Sequence, residues 1–319
     1  MRKSALTCFR YRGQFPLLTE DASTFCSSLA EDLKRLELSL AKDSVSLKWS
    51  VEAMSLLKRM QVKLLALLKK SKLPISYGAD EDWFEQYMQE SSSLLDFCNS
   101  LKSAVSGINR YCMIVELAVH KLYEEKSFSM SRIDNYEFER LCKARGKKIL
   151  DACVVKETLG LNNGAFFEEN GGDEKSMSIV MFAARTTMIV LSWLLVSAMV
   201  SPIQLKFESR ELSSSVPELK QCMEILMMLS GCFSKNIGLN QGVCLVEHEM
   251  VNEAVEELQA QVEEKEKGER FLNGLEKLRR RSFELKEGID RFSTVVDEVF
   301  KEVIRGRNEM LDMFRNESL

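Results

Sequence analysis

Residues 186–203, TTMIVLSWLLVSAMVSPI, carry no charged side chain and read as one apolar helix closed by Pro202. Eighteen residues at about 1.5 Å of rise give roughly 27 Å, just short of the ~30 Å hydrocarbon core of a bilayer. A backward extension through Ser178 to Ala184 crosses Arg185, which in mid-span costs about 2.5–3.5 kcal/mol. Thr186, Thr187, Ser192, Ser197 and Ser201 suit close packing, inside a protein or between membrane helices. Lys175 and Arg185 before the run, and Lys206 and Arg210 after it, impose no orientation. Two readings stand: the central core helix of a helical protein, and a membrane span. Length favours the core helix, with Ile189, Trp193, Leu194, Val196 and Val200 covered by neighbouring helices. A buried Trp193 then needs a partner for its indole N–H.

Outward from this run the chain is amphipathic. Phe25, Leu29, Leu33, Leu36 and Leu40 share a helical face, entered through Thr19, Glu20 and Asp21. Ser44 is the expected cap of the next helix, whose face is Leu47, Val51, Met54, Leu57, Gln61, Leu64 and Leu68. Pro74 stops that helix. The most regular segment is Leu94, Cys98, Leu101, Val105, Ile108, Cys112, Val115, Val119 and Leu122, a heptad seam that steps by four and three. Ser129 is expected to cap a weaker helix reaching about residue 159. Pro217 fits the first position of a helix faced by Leu219, Met223, Leu226, Ser230 and Phe233. The charged C-terminal third repeats the heptad pattern in Leu285, Ile289, Phe292, Val296, Val299 and Val303. The stripes predict an all-α fold, a single elongated bundle of about seven to nine helices around one nearly all-apolar central helix. Residues 1–14 form a basic flexible tail, 15–319 one domain, and the Gly- and Asn-rich stretch 160–176 an internal linker in which Phe166 and Phe167 could dock back on the body.

Composition narrows the function classes. Of 319 residues, 45% are hydrophobic and 29% charged, an ordinary globular balance. Four prolines and fifteen glycines leave room for long unbroken helices. A formal charge of −4 argues against a nucleic-acid binder working by phosphate neutralisation. Nine scattered cysteines with no CxxC read as reduced thiols of an intracellular, cytoplasmic protein that is not secreted, with membrane association left open by the apolar run. The basic start, MRKSALTCFRYRGQF, has the composition of a transit peptide but is short.

No catalytic constellation is present. Neither a P-loop, GxGxxG nor GxSxG motif occurs. His120 lies beside the seam residue Val119 and reads as structural; His248, within Glu247-His248-Glu249, has no second histidine at i+4 and reads as a solvated helix start. No cofactor, metal site or small-molecule substrate is therefore expected, and the chain is read as a non-enzyme. Arg279, Arg280 and Arg281 form the one candidate interaction patch, for an acidic partner, a phosphate or an anionic lipid. Glu284 and Glu287 follow closely, so pairing within the helix is the simpler reading.

A family resemblance adds to this. Trp49, Leu73-Pro74, Asp82-Trp83 and the element Leu94-Leu95-Asp96-Phe97-Cys98-Asn99 resemble the plant BYPASS-related (ROH-like) family. The closing element, Ile304-Arg305-Gly306-Arg307-Asn308-Glu309-Met310-Leu311, is similar to that family's C-terminal Gly-Arg stretch. Similarity is strongest over residues 45–122. The resemblance implies a non-enzymatic plant protein of growth or developmental control, such as root–shoot signalling, acting as a scaffold or adaptor. It also implies an apolar helix at the position of the run, a protein partner that in some relatives is an exocyst subunit, and an alternative role as a membrane-docked trafficking protein. It carries no catalytic residues over.

Overall fold

A computed structural model describes residues 18–42, 44–71, 83–127, 135–145, 173–200, 217–237, 243–263 and 268–317. The basic tail, residues 160–172 of the expected linker with Phe166 and Phe167, Pro74 and Ser129 lie outside the described residues. Among those described, eight helices and no strand occur: α1 (Glu20–Lys42), α2 (Leu47–Ser71), α3 (Trp83–Ser127), α4 (Asn135–Arg145), α5 (Asp173–Met199), α6 (Pro217–Ile237), α7 (Val246–Glu263) and α8 (Glu269–Glu317). The all-α fold follows from the stripes: every residue of the α3 seam from Leu94 to Leu122 is buried, as is the α8 seam from Leu285 to Val303.

The long helices α3 and α8 lie antiparallel along their whole length. Phe84 stacks on Phe314 at one end, with centroids 5.2 Å apart. Lys102 meets Asp297 at 2.7 Å, Lys286 meets Glu116 at 3.0 Å, and Tyr123 Oη donates to Glu276 at 3.3 Å near the other end. This register sets Leu101 level with Val299 and Ile108 level with Phe292, so the two heptad seams face each other. On α8's flank, α2 runs parallel to it, tied by Lys58 to Glu298 at 2.9 Å and by Lys69 to Glu309. Two glycines of α8 permit close approach, Gly288 to α2 and Gly306 to α3: a Cβ on Gly288 would sit 2.7 Å from Leu47 Cδ1, and one on Gly306 would sit 2.5 Å from Tyr87 Oη.

Helices α1, α2 and α6 complete a second layer. α1 and α6 run parallel, with Ser23 donating to Glu218 at 3.0 Å and the Cys222 thiol to the Cys26 carbonyl at 3.4 Å. The entry to α1 is capped by Thr19, whose hydroxyl accepts from Ala22 N–H at 3.4 Å and whose carbonyl accepts from Ser23 N–H at 2.9 Å. The cap of α2 is Ser46, not Ser44: Ser46 Oγ accepts from Trp49 N–H at 3.2 Å. Ser44 is exposed two residues earlier, because Val45 is drawn into the core. The starts of α2 and α7 then cap each other. Val45 carbonyl accepts from Val246 N–H at 3.0 Å, and the Glu247 carboxylate accepts from Leu47 N–H at 3.0 Å.

The apolar run lies in α5, which is longer than the run itself. It begins at Asp173, takes in Asp173–Ser176 of the expected linker, and passes through Arg185. Length therefore no longer separates a core helix from a span, since Ser176–Met199 is long and apolar enough for either. In the folded chain α5 touches α1, α2, α3 and α6, and 78% of its most apolar window is buried by protein, the surroundings expected of a core helix. Trp193, Leu194, Val196 and Val200 are buried, while Ile189 and Thr186 are half-buried. Trp193 packs on Phe233 of α6 at 6.0 Å, and Phe233 on Trp49 of α2 at 5.7 Å. Trp49 Nε1 donates to the Leu36 carbonyl of α1 at 3.3 Å, but the expected partner of Trp193 Nε1 is absent among the described residues.

Candidate functional site

The arginine cluster sits about three turns into α8, opposite the last turns of α3, beside a pocket of about 580 Å³. Val115 and Val119 of α3 and the ring of Phe283 of α8 form its apolar wall. Arg279, Arg280, His120 and Tyr123 form its polar rim, with Glu116 and Glu276. The acids are engaged: Glu116 holds Lys286 at 3.0 Å, and Glu276 meets Arg279 at 3.6 Å as well as the Tyr123 hydroxyl. Arg281 pairs with Glu284 at 2.8 Å, as helical spacing predicts, while Glu287 takes Arg291 instead of a cluster member. Arg280 makes no ion pair among the described residues and is exposed. Phe283, one turn on, is 64% exposed, high for a phenylalanine.

Arg279–Arg281 were legible in sequence as a basic cluster; their counterparts were not. His120, Tyr123 and Val119 lie about 160 positions away in chain order, and only the α3–α8 register brings them level with the arginines. His120 is exposed on the pocket rim, so it is not part of a packed core. His248 departs the other way. It is buried, not solvated, with its ring 5.1 Å from that of Tyr111 and Nδ1 3.2 Å from Asn252 Nδ2. The same Asn252 accepts from Tyr111 Oη at 2.8 Å, which joins α7 to α3. Burial pushes the His248 pKa down to about 4, so the ring is a neutral core group. Among the described residues no cluster of three His, Cys, Asp or Glu side chains suits a metal ion, and the seven described cysteines are free thiols. Burial raises Cys26, Cys98 and Cys222 to about 12, which leaves these thiols protonated and unreactive.

The closing element 304–311 has a structural role at the opposite end of α3. Arg307 Nη1 donates to the Met88 carbonyl and to Ser91 Oγ, and Gly306 receives Tyr87. Next to them Glu90 is buried, with one carboxylate oxygen 4.0 Å from Arg185 Nε of α5 and no hydrogen bond to that oxygen. Desolvation raises the Glu90 pKa to about 8, and the arginine's attraction offsets it only in part. The element thus clamps the N-terminal turns of α3 where α3, α5 and α8 meet.

No solved structure matches the chain. The chain is 25% identical over 254 residues, 77% of its own length and 69% of the other's, to "Protein BPS1, chloroplastic" of Arabidopsis thaliana. The BPS1 family profile matches residues 51–313, which takes in the α3 seam, the apolar helix, the arginine cluster and the Gly306-Arg307 clamp; on that coverage the chain belongs to the BPS1 family.

Proposed function

We propose that the chain is a non-enzymatic plant developmental regulator that works as a helical adaptor inside the cell. Membership of the BPS1 family supports the developmental role. The observation that carries the adaptor reading is the burial of α5 by the protein's own helices, which leaves ion-pair-laced helix faces as the outer surface. The Arg279–Arg281 face is the proposed docking surface, and an exocyst subunit is the proposed partner, on the strength of the family resemblance alone. Purified chain titrated against purified exocyst subunits tests this directly. A chain with Arg279, Arg280 and Arg281 all changed to Glu should lose that binding and keep its helical circular dichroism. Undiminished binding by that variant would remove the docking surface from the proposal.

The second reading is a membrane-docked protein, favoured by the length and apolarity of Ser176–Met199. A carbonate wash separates the two: the adaptor enters the supernatant, and a spanning protein stays in the pellet. The compartment also belongs to the proposal. The Arabidopsis relative is named chloroplastic, and the basic start of this chain has a transit-like composition. Cytoplasm or plastid is decided by imaging a fusion at the C-terminus, which leaves that start free.

A further inference from the structure

We infer that the pocket between the C-terminal turns of α3 and the N-terminal turns of α8 binds a small aromatic carboxylate, with Arg280 holding the anion and Phe283 laid against the ring above Val115 and Val119. Size comes first. About 580 Å³ lies within the ~300–1,000 Å³ range of small-molecule sites. Charge comes next. Glu116 and Glu276 on the rim are already paired, to Lys286 and Arg279, whereas Arg280 has no counter-charge among the described residues. A guanidinium without a carboxylate partner beside an apolar wall matches an anion carried on an apolar body, because its planar donor fork fits a carboxylate in two parallel hydrogen bonds. One charge suffices, so a dianion is not called for. Shape is the third consideration. The Phe283 ring is 64% exposed at the mouth although the adjacent seam buries its own large apolar residues, and a flat ring laid along it would cover it. Tyr123 adds a second aromatic side chain on the facing helix.

This site shares Arg280 with the docking face proposed above, but its readout is separate: a small molecule on the isolated chain, which succeeds or fails whatever the exocyst titration gives. The test titrates the purified full-length chain by calorimetry with 2-naphthoate and with its neutral isostere 2-naphthamide. The naphthoate should bind at one site and be preferred over the amide by about tenfold or more, the discrimination of one charge-assisted hydrogen-bonded pair. Arg280→Gln should abolish that preference without changing amide binding, and Phe283→Ala should weaken both ligands. Both residues are exposed, so neither variant threatens the fold, and Arg291→Gln elsewhere on α8 serves as a control with unchanged binding. Equal binding of the two ligands, no binding of either, or a preference that survives Arg280→Gln overturns the inference.

Discussion

At the scale of single residues, the junction of α3, α5 and α8 holds the groups most sensitive to change. Glu90 is raised to about 8 by burial, so between the unfolded carboxyl range near pH ~4.3 and pH 8 the native chain keeps a proton that the unfolded chain has lost. Its contribution is fully present below the unfolded pKa and is lost as pH rises through that window. Glu90→Gln should therefore stabilise the protein by about 2 kcal/mol at pH 8 and change little at pH 4, as read from urea midpoints across pH. His248 has the opposite sign: lowered to about 4, it withdraws stability as pH falls below ~6.5, and that acid limb should survive in the Glu90 variant. Gly306 is the second sensitive position. Ala there places a methyl group 2.5 Å from Tyr87 Oη and 3.4 Å from Leu65 Cδ2, which should cost about 1–3 kcal/mol. Tyr87→Phe removes the hydroxyl that clashes, so the double variant should melt above Gly306→Ala alone; additive losses would show that the close approach is not the cause. The Gly-Arg stretch was visible in the sequence as a resemblance, but its reason was not, because Tyr87 and Gly306 meet only in the folded chain.

At the scale of elements, helical periodicity carried most of the architecture. Leu94 to Leu122 and Leu285 to Val303 were readable as seams because an apolar residue every three to four positions has no use on a solvated helix. That the two seams face one another, antiparallel, was not readable, since any two such stripes are compatible and the choice rests on the loops and on cross-helix pairs such as Lys102 with Asp297. Helix ends were read less well than faces. Ser44 and Ser46 are equal as caps in sequence; the reciprocal bonds between Val45, Val246, Glu247 and Leu47 decide for Ser46. The facing seams make a sharp prediction. Val105 is buried between helices, so Val105→Asp leaves an unpaired charge in the core and should cost about 3–5 kcal/mol. Ser106→Asp, one residue on and exposed, should fall within about 0.5 kcal/mol of wild type. Equal melting temperatures for the two variants would place the seam in solvent.

At the scale of the whole molecule, α5 packs on both layers, against α3 on one side and α1, α2 and α6 on the other. It meets α1 where Thr19 N–H donates to Ser176 Oγ at 3.1 Å, α3 through Arg185 and Glu90, and α6 through Trp193 and Phe233. The sequence showed that the run must leave water but could not show which solvent it enters, since a span and a core helix share the same composition. The neighbours favour the core-helix reading, since they are amphipathic helices whose apolar faces α5 covers in the folded chain. Burying a large apolar side chain is worth about 1.5–3 kcal/mol, so taking Trp193, Leu194, Val196 and Val200 out of the bundle and baring Phe233 would remove an amount comparable with the ~5–15 kcal/mol that holds a typical domain folded. On the core-helix reading, α5 is released only when the bundle unfolds. Hydrogen exchange should show this directly. In detergent-free buffer, amides of Ile179–Ala198 should open only with the whole molecule, among the slowest in the chain. Addition of anionic vesicles should leave that rate unchanged. Fast exchange in buffer that slows when vesicles are added would mean that α5 has lipid, not protein, as its preferred surroundings.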